Sequence, residues 1–309
     1  MTHGTGSHRA LRRDTHGSHR ALRRGVAAGV AALAVALVAS ACGGGGSSNL
    51  CAGKTTTAGT RAFTITSGGV ERTFEVTAPE SARQGAPAPL VLVYHGVFST
   101  AEAIQQVTGM PAKAAQEGFI TAAGNGVGRS WNAGLCCDPA AESGVDDVAF
   151  TRDMVAAIQD EYCIDDSRIY ATGFSNGAAM VFRLACEASD LFASFVPVAG
   201  SLALFPCEPE FPRAIDIINS VDDPVVPFDL GEFSVLEFYK HDSCDAVRET
   251  TEPAANTTCE VAPECADDTT VLLCGVRGLS HEWPGGETNP EGPFYATDVA
   301  WDFFTEHPL

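Results

Sequence analysis

Gly173-Phe174-Ser175-Asn176-Gly177 fits the pattern G-x-S-x-G. It follows the apolar run Ile169–Thr172 and precedes a helical pattern from Ala178. That is the context of a nucleophile elbow, a strained strand-to-helix turn that lifts a serine hydroxyl above a sheet. A serine hydroxyl is a weak nucleophile at neutral pH and needs a base within hydrogen-bond reach. Beyond the first fifty residues the chain has four histidines: His95, His241, His281 and His307. After such an elbow the acid and then the histidine follow in chain order, which removes His95. His307 lies three residues from the end, and His241 follows a helix beside Asp242. His281 sits in the loop Gly278–Gly286, after the last expected strand, where the base belongs. The acid belongs after the strand ending at Asn219, where Asp222 and Asp223 both qualify. Asp223 is preferred because it directly precedes Pro224, where the chain is held extended. The other aspartate is then left to cap a turn.

The negative oxygen of an acyl-transfer transition state needs preorganised donors. One expected donor is the amide of Asn176. The other comes from the loop His95-Gly96-Val97-Phe98, with Val97 the choice and Phe98 the fallback. His95 itself is read as a loop brace. Trp131 and Trp283 are either walls of a substrate cleft or buried packing.

These residues need a frame. Arg61–Thr66 and Glu71–Thr77 alternate around Ser67-Gly68-Gly69, the pattern of a β-hairpin. Pro89–Tyr94, Phe119–Ala123, Arg168–Thr172, Ser194–Ala199, Ala214–Asn219 and Thr269–Val276 read as strands. Several are continuous apolar runs, as in strands buried on both faces. Helical patterns cover Ala112–Glu117, Val145–Tyr162, Ala178–Cys186, Glu232–Lys240 and Phe294–Phe304, and Gly124–Gly144 reads as a long loop. Strands alternating with helices imply an α/β fold, a mainly parallel sheet with helices on both faces. The expected organisation is a leader over 1–41, a tether over 42–60 and one catalytic domain over 61–309.

The leader is basic: six of the 19 Lys and Arg residues lie in the first 24 positions, and Ser7–Arg13 recurs as Ser18–Arg24. Sixteen small apolar residues follow, Val26–Ala41, fewer than the ~20 a membrane span needs. A basic stretch before a short apolar one is the pattern of a secretory signal. Ala39-Ser40-Ala41-Cys42 resembles a bacterial lipobox, which implies lipidation of Cys42 and a cell-surface or extracellular location. Release after cleavage near Ala41, or an uncleaved anchor, are the alternatives.

From Cys42 onward the chain has 13 basic and 38 acidic residues, a net charge of −25. A surface that acidic repels nucleic acid and polyanions. The ten cysteines after Cys42 suit up to five disulfides in an oxidising compartment. Zinc is disfavoured by the lack of a C-x-x-C pair. Cys136 and Cys137 are adjacent, and each is expected to find a separate partner, because a vicinal bridge is strained.

Seven ordered stretches resemble one family: LVLVYHG (90–96), SWNAGLCC (130–137), VDDVAFTRDMV (145–155), RIYATGFSNGAAMVFRLACE (168–187), FVPVAGS (195–201), DDPVVPF (222–228) and SHEWPGG (280–286). The family is that of secreted esterases of the polyhydroxybutyrate depolymerase type, including feruloyl and acetylxylan esterases of carbohydrate esterase family 1. The resemblance covers roughly Pro89 to Pro308. It implies an α/β-hydrolase fold, with nucleophile, acid and base on Ser175, Asp223 and His281. It also implies a monomer without metal or organic cofactor, acting on hydroxyalkanoate oligomers or acylated plant polysaccharide. An acyltransferase with the same three residues, a peptidase, and a non-catalytic glycan-binding relative are the rival readings.

Overall fold

The computed structural model describes residues 51–309 except 55–56, 84–85, 246–247 and 263–264. The leader, the lipobox and Cys42 lie outside the described residues. Apolar runs and amphipathic stretches build one ten-stranded sheet flanked by helices. In chain order the elements are β1 (Gly59–Ser67), β2 (Val70–Ala78), β3 (Ala88–Tyr94), α1 (Ala101–Thr108), α2 (Met110–Glu117), β4 (Ile120–Gly124), α3 (Ala140–Ser143), α4 (Asp147–Glu161) and β5 (Ile164–Phe174). They continue with α5 (Asn176–Glu187), β6 (Ser194–Val198), β7 (Ala214–Ser220), α6 (Phe228–His241), β8 (Glu249–Thr251), β9 (Thr257–Ala262), β10 (Val271–Val276) and α7 (Ala296–Glu306).

The sheet order is β1-β2-β4-β3-β5-β6-β7-β10-β9-β8. The centre, from β4 to β10, is parallel, and both flanks are antiparallel. β3, β6 and β7 are buried at every position, as strands covered on both faces must be. One core, containing Met154, Phe182 and Phe238, packs α4, α5 and α6 on one face. Ile104, Ala114 and Phe304 pack α1, α2 and α7 on the other. Among the described residues no helix is long and apolar enough to cross a membrane.

The expected hairpin is β1–β2, paired from Gly59↔Ala78 to Ser67↔Val70. α4 starts where its acids indicate: Asp146 caps it by accepting the Ala149 amide at 2.8 Å. Three features go beyond the sequence reading. α1 fills the span after Thr100, whose hydroxyl accepts the Ala103 amide. The short α3 interrupts the expected loop 124–144. β8 and β9 extend the sheet past β10, although their residues are largely polar. Cys259 and Cys274 are directly opposed on β9 and β10 and are bonded to each other, which holds that polar edge in register.

The other bridges are Cys51–Cys163, Cys186–Cys207, Cys244–Cys265 and Cys136–Cys137. The last corrects the expectation of separate partners for Cys136 and Cys137. The remaining eight cysteines pair among themselves elsewhere, so this loop offers each only its neighbour. Cys51–Cys163 ties the middle of the expected tether to the start of β5, and β1 begins inside that segment, at Gly59.

Two buried acids in the frame are handled differently. Asp147 accepts from Arg72 at 2.7 Å and from the Asn132 amide at 2.8 Å. Burial raises its carboxyl pKa, and the Arg72 charge and the Asn132 amide act against that rise. The Arg72 guanidinium also lies 3.8 Å from the Phe150 ring centroid. Asp216, in the middle of β7, has no such partner: its Oδ1 makes no hydrogen bond among the described residues. Burial pushes its pKa from 3.8 up to about 8. An unfolded aspartate ionises near pH 4, so between about 4 and 8 only the unfolded state gains by releasing the proton. Stability contributed by Asp216 therefore falls as pH rises through that window and levels off above it. Asp216→Asn removes this dependence. In thermal unfolding at a series of pH values, the melting temperature of the variant relative to wild type should climb steadily from pH 5 to 8. A difference independent of pH would show that Asp216 is ionised in the fold.

Candidate active site

β5 runs into α5 through Ser175, whose backbone sits at φ 57° and ψ −118°. A positive φ at a non-glycine residue is held only where the surroundings enforce it. Here the Ser175 amide donates to Val198 O at 3.0 Å and its carbonyl accepts from the Ala179 amide at 3.0 Å. The glycines beside it are required by contact. A Cβ on Gly177 would lie 2.1 Å from Tyr94 O, and one on Gly173 would lie 2.6 Å from Gly177 O. The turn can form only if both positions lack a side chain.

The Ser175 hydroxyl donates to His281 Nε2 at 2.8 Å. His281 Nδ1–H donates to Asp223 Oδ2 at 2.7 Å. The other carboxylate oxygen of Asp223 accepts the Val225 and Val226 amides at 2.7 and 2.9 Å. These two amides fix the direction of the carboxylate. The side chain of Asp223 is 1% exposed and that of His281 is 17% exposed, so the acid is sealed while the imidazole edge stays open to the serine. The ring also lies 4.9 Å from that of Phe174.

The two neighbouring aspartates divide the work. Asp222 turns away and accepts the Gly278 amide at 2.7 Å, and the Ser220 hydroxyl donates to Leu279 O at 2.6 Å. Together they strap the loop carrying His281 to the loop carrying Asp223. The other histidines are engaged elsewhere. His241 Nδ1–H donates to Asp242 at 2.5 Å, and His307 bonds Phe303 O and Thr270. His95 is buried; its Nδ1–H donates to Gly96 O and its Nε2 accepts the Gly126 amide. Burial lowers its pKa, which suits this neutral bracing role.

Of the expected oxyanion amides, those of Val97 and Asn176 have no acceptor among the described residues, whereas Phe98 N donates to Arg129 O at 2.8 Å. The fallback position is therefore occupied. Trp131 and Trp283 are 0% and 1% exposed, which corrects their reading as cleft walls. Each indole N–H is satisfied internally, Trp131 on His95 O and Trp283 on Thr297 Oγ1. Trp131 also packs edge-on to Tyr94, with 5.1 Å between ring centroids. Both are struts behind the site. Among the described residues no group of three or more His, Cys, Asp or Glu side chains is placed to hold a metal.

The side chain of Asn176 was not singled out from the sequence, where only its amide drew notice. It grips the rim loop at two points: Oδ1 accepts Trp131 N at 2.7 Å and Nδ2 donates to Trp131 O at 3.0 Å. It also contacts Cys136 Sγ at 3.8 Å. A polar side chain at the first position of a helix that opens into the core was the available signal. A hydroxyl, imidazole and carboxylate in this chain can pass a proton from the hydroxyl to the imidazole as the oxygen attacks.

No protein-family model matches the chain. The acetyl xylan esterase of Aspergillus awamori superposes with a TM-score of 0.61 at 14% identity, covering 79% of this chain and 99% of that one. The fold is thus that of the α/β-hydrolases. Feruloyl esterase B of Piromyces equi is 30% identical over 249 residues, 72% of this chain, and the chain spans 42% of that protein's length. NocK of Nocardia uniformis subsp. tsuyamanensis, assigned as an esterase, is 32% identical over 244 residues, 66% of this chain and 70% of that protein. The chain belongs to the feruloyl esterase-like family of serine esterases.

Replacing Asn176 by Ala deletes both bonds to Trp131, each worth about 1 kcal/mol net. Amide exchange across 131–137 should then accelerate about tenfold or more, with the exchange of β5 and β6 unchanged. Unchanged protection at Trp131 would show that Arg72, Asp147 and the disulfide hold the loop without Asn176.

Proposed function

We propose that this chain is an exported serine carboxylic-ester hydrolase in which Ser175 is the nucleophile, His281 the general base and acid, and Asp223 the orienting carboxylate. The observation that carries this reading is the continuous hydrogen-bonded chain Ser175–His281–Asp223, at 2.8 and 2.7 Å, on a strained elbow. Ser175 Oγ attacks the ester carbonyl carbon as its proton passes to His281 Nε2. The Val97 and Asn176 amides receive the negative oxygen of the tetrahedral intermediate. His281 then protonates the departing alcohol, leaving an acyl group on Ser175. Water, deprotonated by His281, attacks the acyl carbonyl, and Ser175 regains its proton as the acid leaves. No step requires a metal or an organic cofactor.

The relatives' names point to feruloyl and acetylxylan esters as first substrates, with short 3-hydroxybutyrate oligomers a further class from the resemblance. Export is supported by the basic and apolar leader together with five disulfides. Anchoring through a lipid on Cys42 and the monomeric state belong to the same proposal.

Ser175→Ala should reduce p-nitrophenyl butyrate turnover by a factor on the order of 10⁶, and His281→Ala by a similar factor, because such residues act as a unit. Asp223→Ala should cost about 10⁴. A fluorophosphonate probe should label wild type and not Ser175→Ala. Full activity in the serine variant would sink the assignment. A panel of methyl ferulate, acetylated xylan and hydroxybutyrate oligomers ranks the substrates. Added alcohols that divert the acyl group from water would instead identify an acyltransferase.

A further inference from the structure

Five cavities of 160 to 610 Å³ on the described surface are lined by neither Ser175 nor His281. The site residues adjoin three loops that carry Val97, Cys136 and Asp223. The three most exposed large apolar side chains among the described residues are Leu135 (83%), Phe98 (72%) and Val225 (62%). They come from three separate loops, and each is tied to the site by a short covalent path.

Phe98 follows Val97 and lies two residues from Gly96, where a Cβ would be 3.3 Å from Ser175 Cβ. Its backbone is at φ 63°, a conformation a bulky residue rarely adopts, and the bond from its amide to Arg129 O keeps it there. A strained backbone that holds a large aromatic side chain out in water serves no packing purpose, and strain of this kind collects at functional sites. Leu135 precedes Cys136, whose sulfur touches the Asn176 side chain. Its amide donates to Ala203 O at 2.8 Å, and the next peptide lies within the Cys136–Cys137 bridge, so the loop tip is held from both ends. Val225 donates its amide to Asp223, the carboxylate that orients His281.

We propose that these three residues determine specificity, gripping the apolar portions of an ester with substituents larger than methyl or ethyl. Phe98 and Leu135 belong to the loops beside the Val97 and Asn176 amides and take the acyl chain. Val225 belongs to the acid loop, which with His281 forms the other flank of the serine, and takes the alcohol chain. On the tetrahedral carbon the leaving oxygen must face the imidazole and the carbonyl oxygen the amides, so the alcohol chain is directed to the histidine side and the acyl chain is left to the other loops. Apolar contact of this kind discriminates by roughly 10–200-fold per methylene in an enclosed pocket, and by less on an open rim. The inference rests on the esterase reading of Ser175.

The test compares two substrate series. In the first, p-nitrophenyl acetate and hexanoate vary the acyl chain. In the second, ethyl and hexyl acetate vary the alcohol. The Phe98→Ala, Leu135→Ala double variant should lower the hexanoate-to-acetate ratio of kcat/KM about tenfold, with the loss appearing in KM. Val225→Ser should leave that ratio within about twofold and lower the hexyl-to-ethyl ratio. Circular dichroism and thermal unfolding verify that each variant is folded, and ratios from one preparation cancel any loss of folded protein. If Ser175 reacts with a fluorophosphonate and wild type hydrolyses acetate, but neither ratio moves, the rim residues do not set specificity and the esterase reading stands. If Ser175 is unlabelled and no ester is turned over, both readings fall together.

Discussion

The structure turns on a close approach of backbone to backbone. At the end of β5 the chain reverses into α5 so tightly that Gly177 has no room for a Cβ against the carbonyl of Tyr94 on the neighbouring strand. That contact sets the position of α5, keeps Ser175 in a backbone conformation that costs on the order of 1–3 kcal/mol, and raises the hydroxyl above the sheet edge. The strain is sustained by what surrounds it. β5 is flanked by β3 and β6, both buried throughout, and the Ser175 amide is bound to the end of β6. A looser turn would relieve the strain and drop the hydroxyl out of reach of the imidazole.

Around this fixed point the loops are cross-braced rather than individually rigid. The histidine loop is fastened to the acid loop by Asp222 and Ser220, so His281 and Asp223 move together if they move at all. The rim loop is fastened to the elbow by the side chain of Asn176 and to the frame by Asp147, which also holds Arg72 from β2. Removing Arg72 would leave a buried carboxylate without its counter-charge, a loss of about 3–5 kcal/mol in comparable buried pairs. Four of the disulfides lie away from the site and close the periphery. By the chain-entropy argument, the three that span 15 to 21 residues contribute roughly 3 kcal/mol each and Cys51–Cys163, which spans 112, about 5 kcal/mol. A chain cross-linked in this way can carry a strained turn and an unpartnered buried acid such as Asp216 without losing its fold.

Much of the architecture was legible because it depends on local pattern. The apolar runs at 89–94, 194–199 and 214–219 are strands buried on both faces, and the elbow pentapeptide names its own serine. α1 escaped notice because its apolar face is short, and β8 and β9 because polar strands are stabilised by pairing and by a disulfide rather than by apolar alternation. The two tryptophans show the limit most clearly. Their place in the motifs was plain, yet only the surrounding packing reveals that each indole N–H has an internal acceptor and that neither ring faces solvent.

The amino-acid sequence by itself determined the alternation of strand and helix, the turn that displays Ser175, and the short list of acids and histidines able to serve it. These follow from residue type, order and spacing along the chain. The tertiary structure decided which of Asp222 and Asp223 faces the imidazole, which loop amides are free, and how ten cysteines pair. It also decided that Asn176 clamps a distant loop and that three apolar side chains stand exposed on the loops that carry Val97, Cys136 and Asp223. Each of these is a relation between atoms many residues apart, set by how the sheet brings its loops to one edge, and no local pattern carries that information.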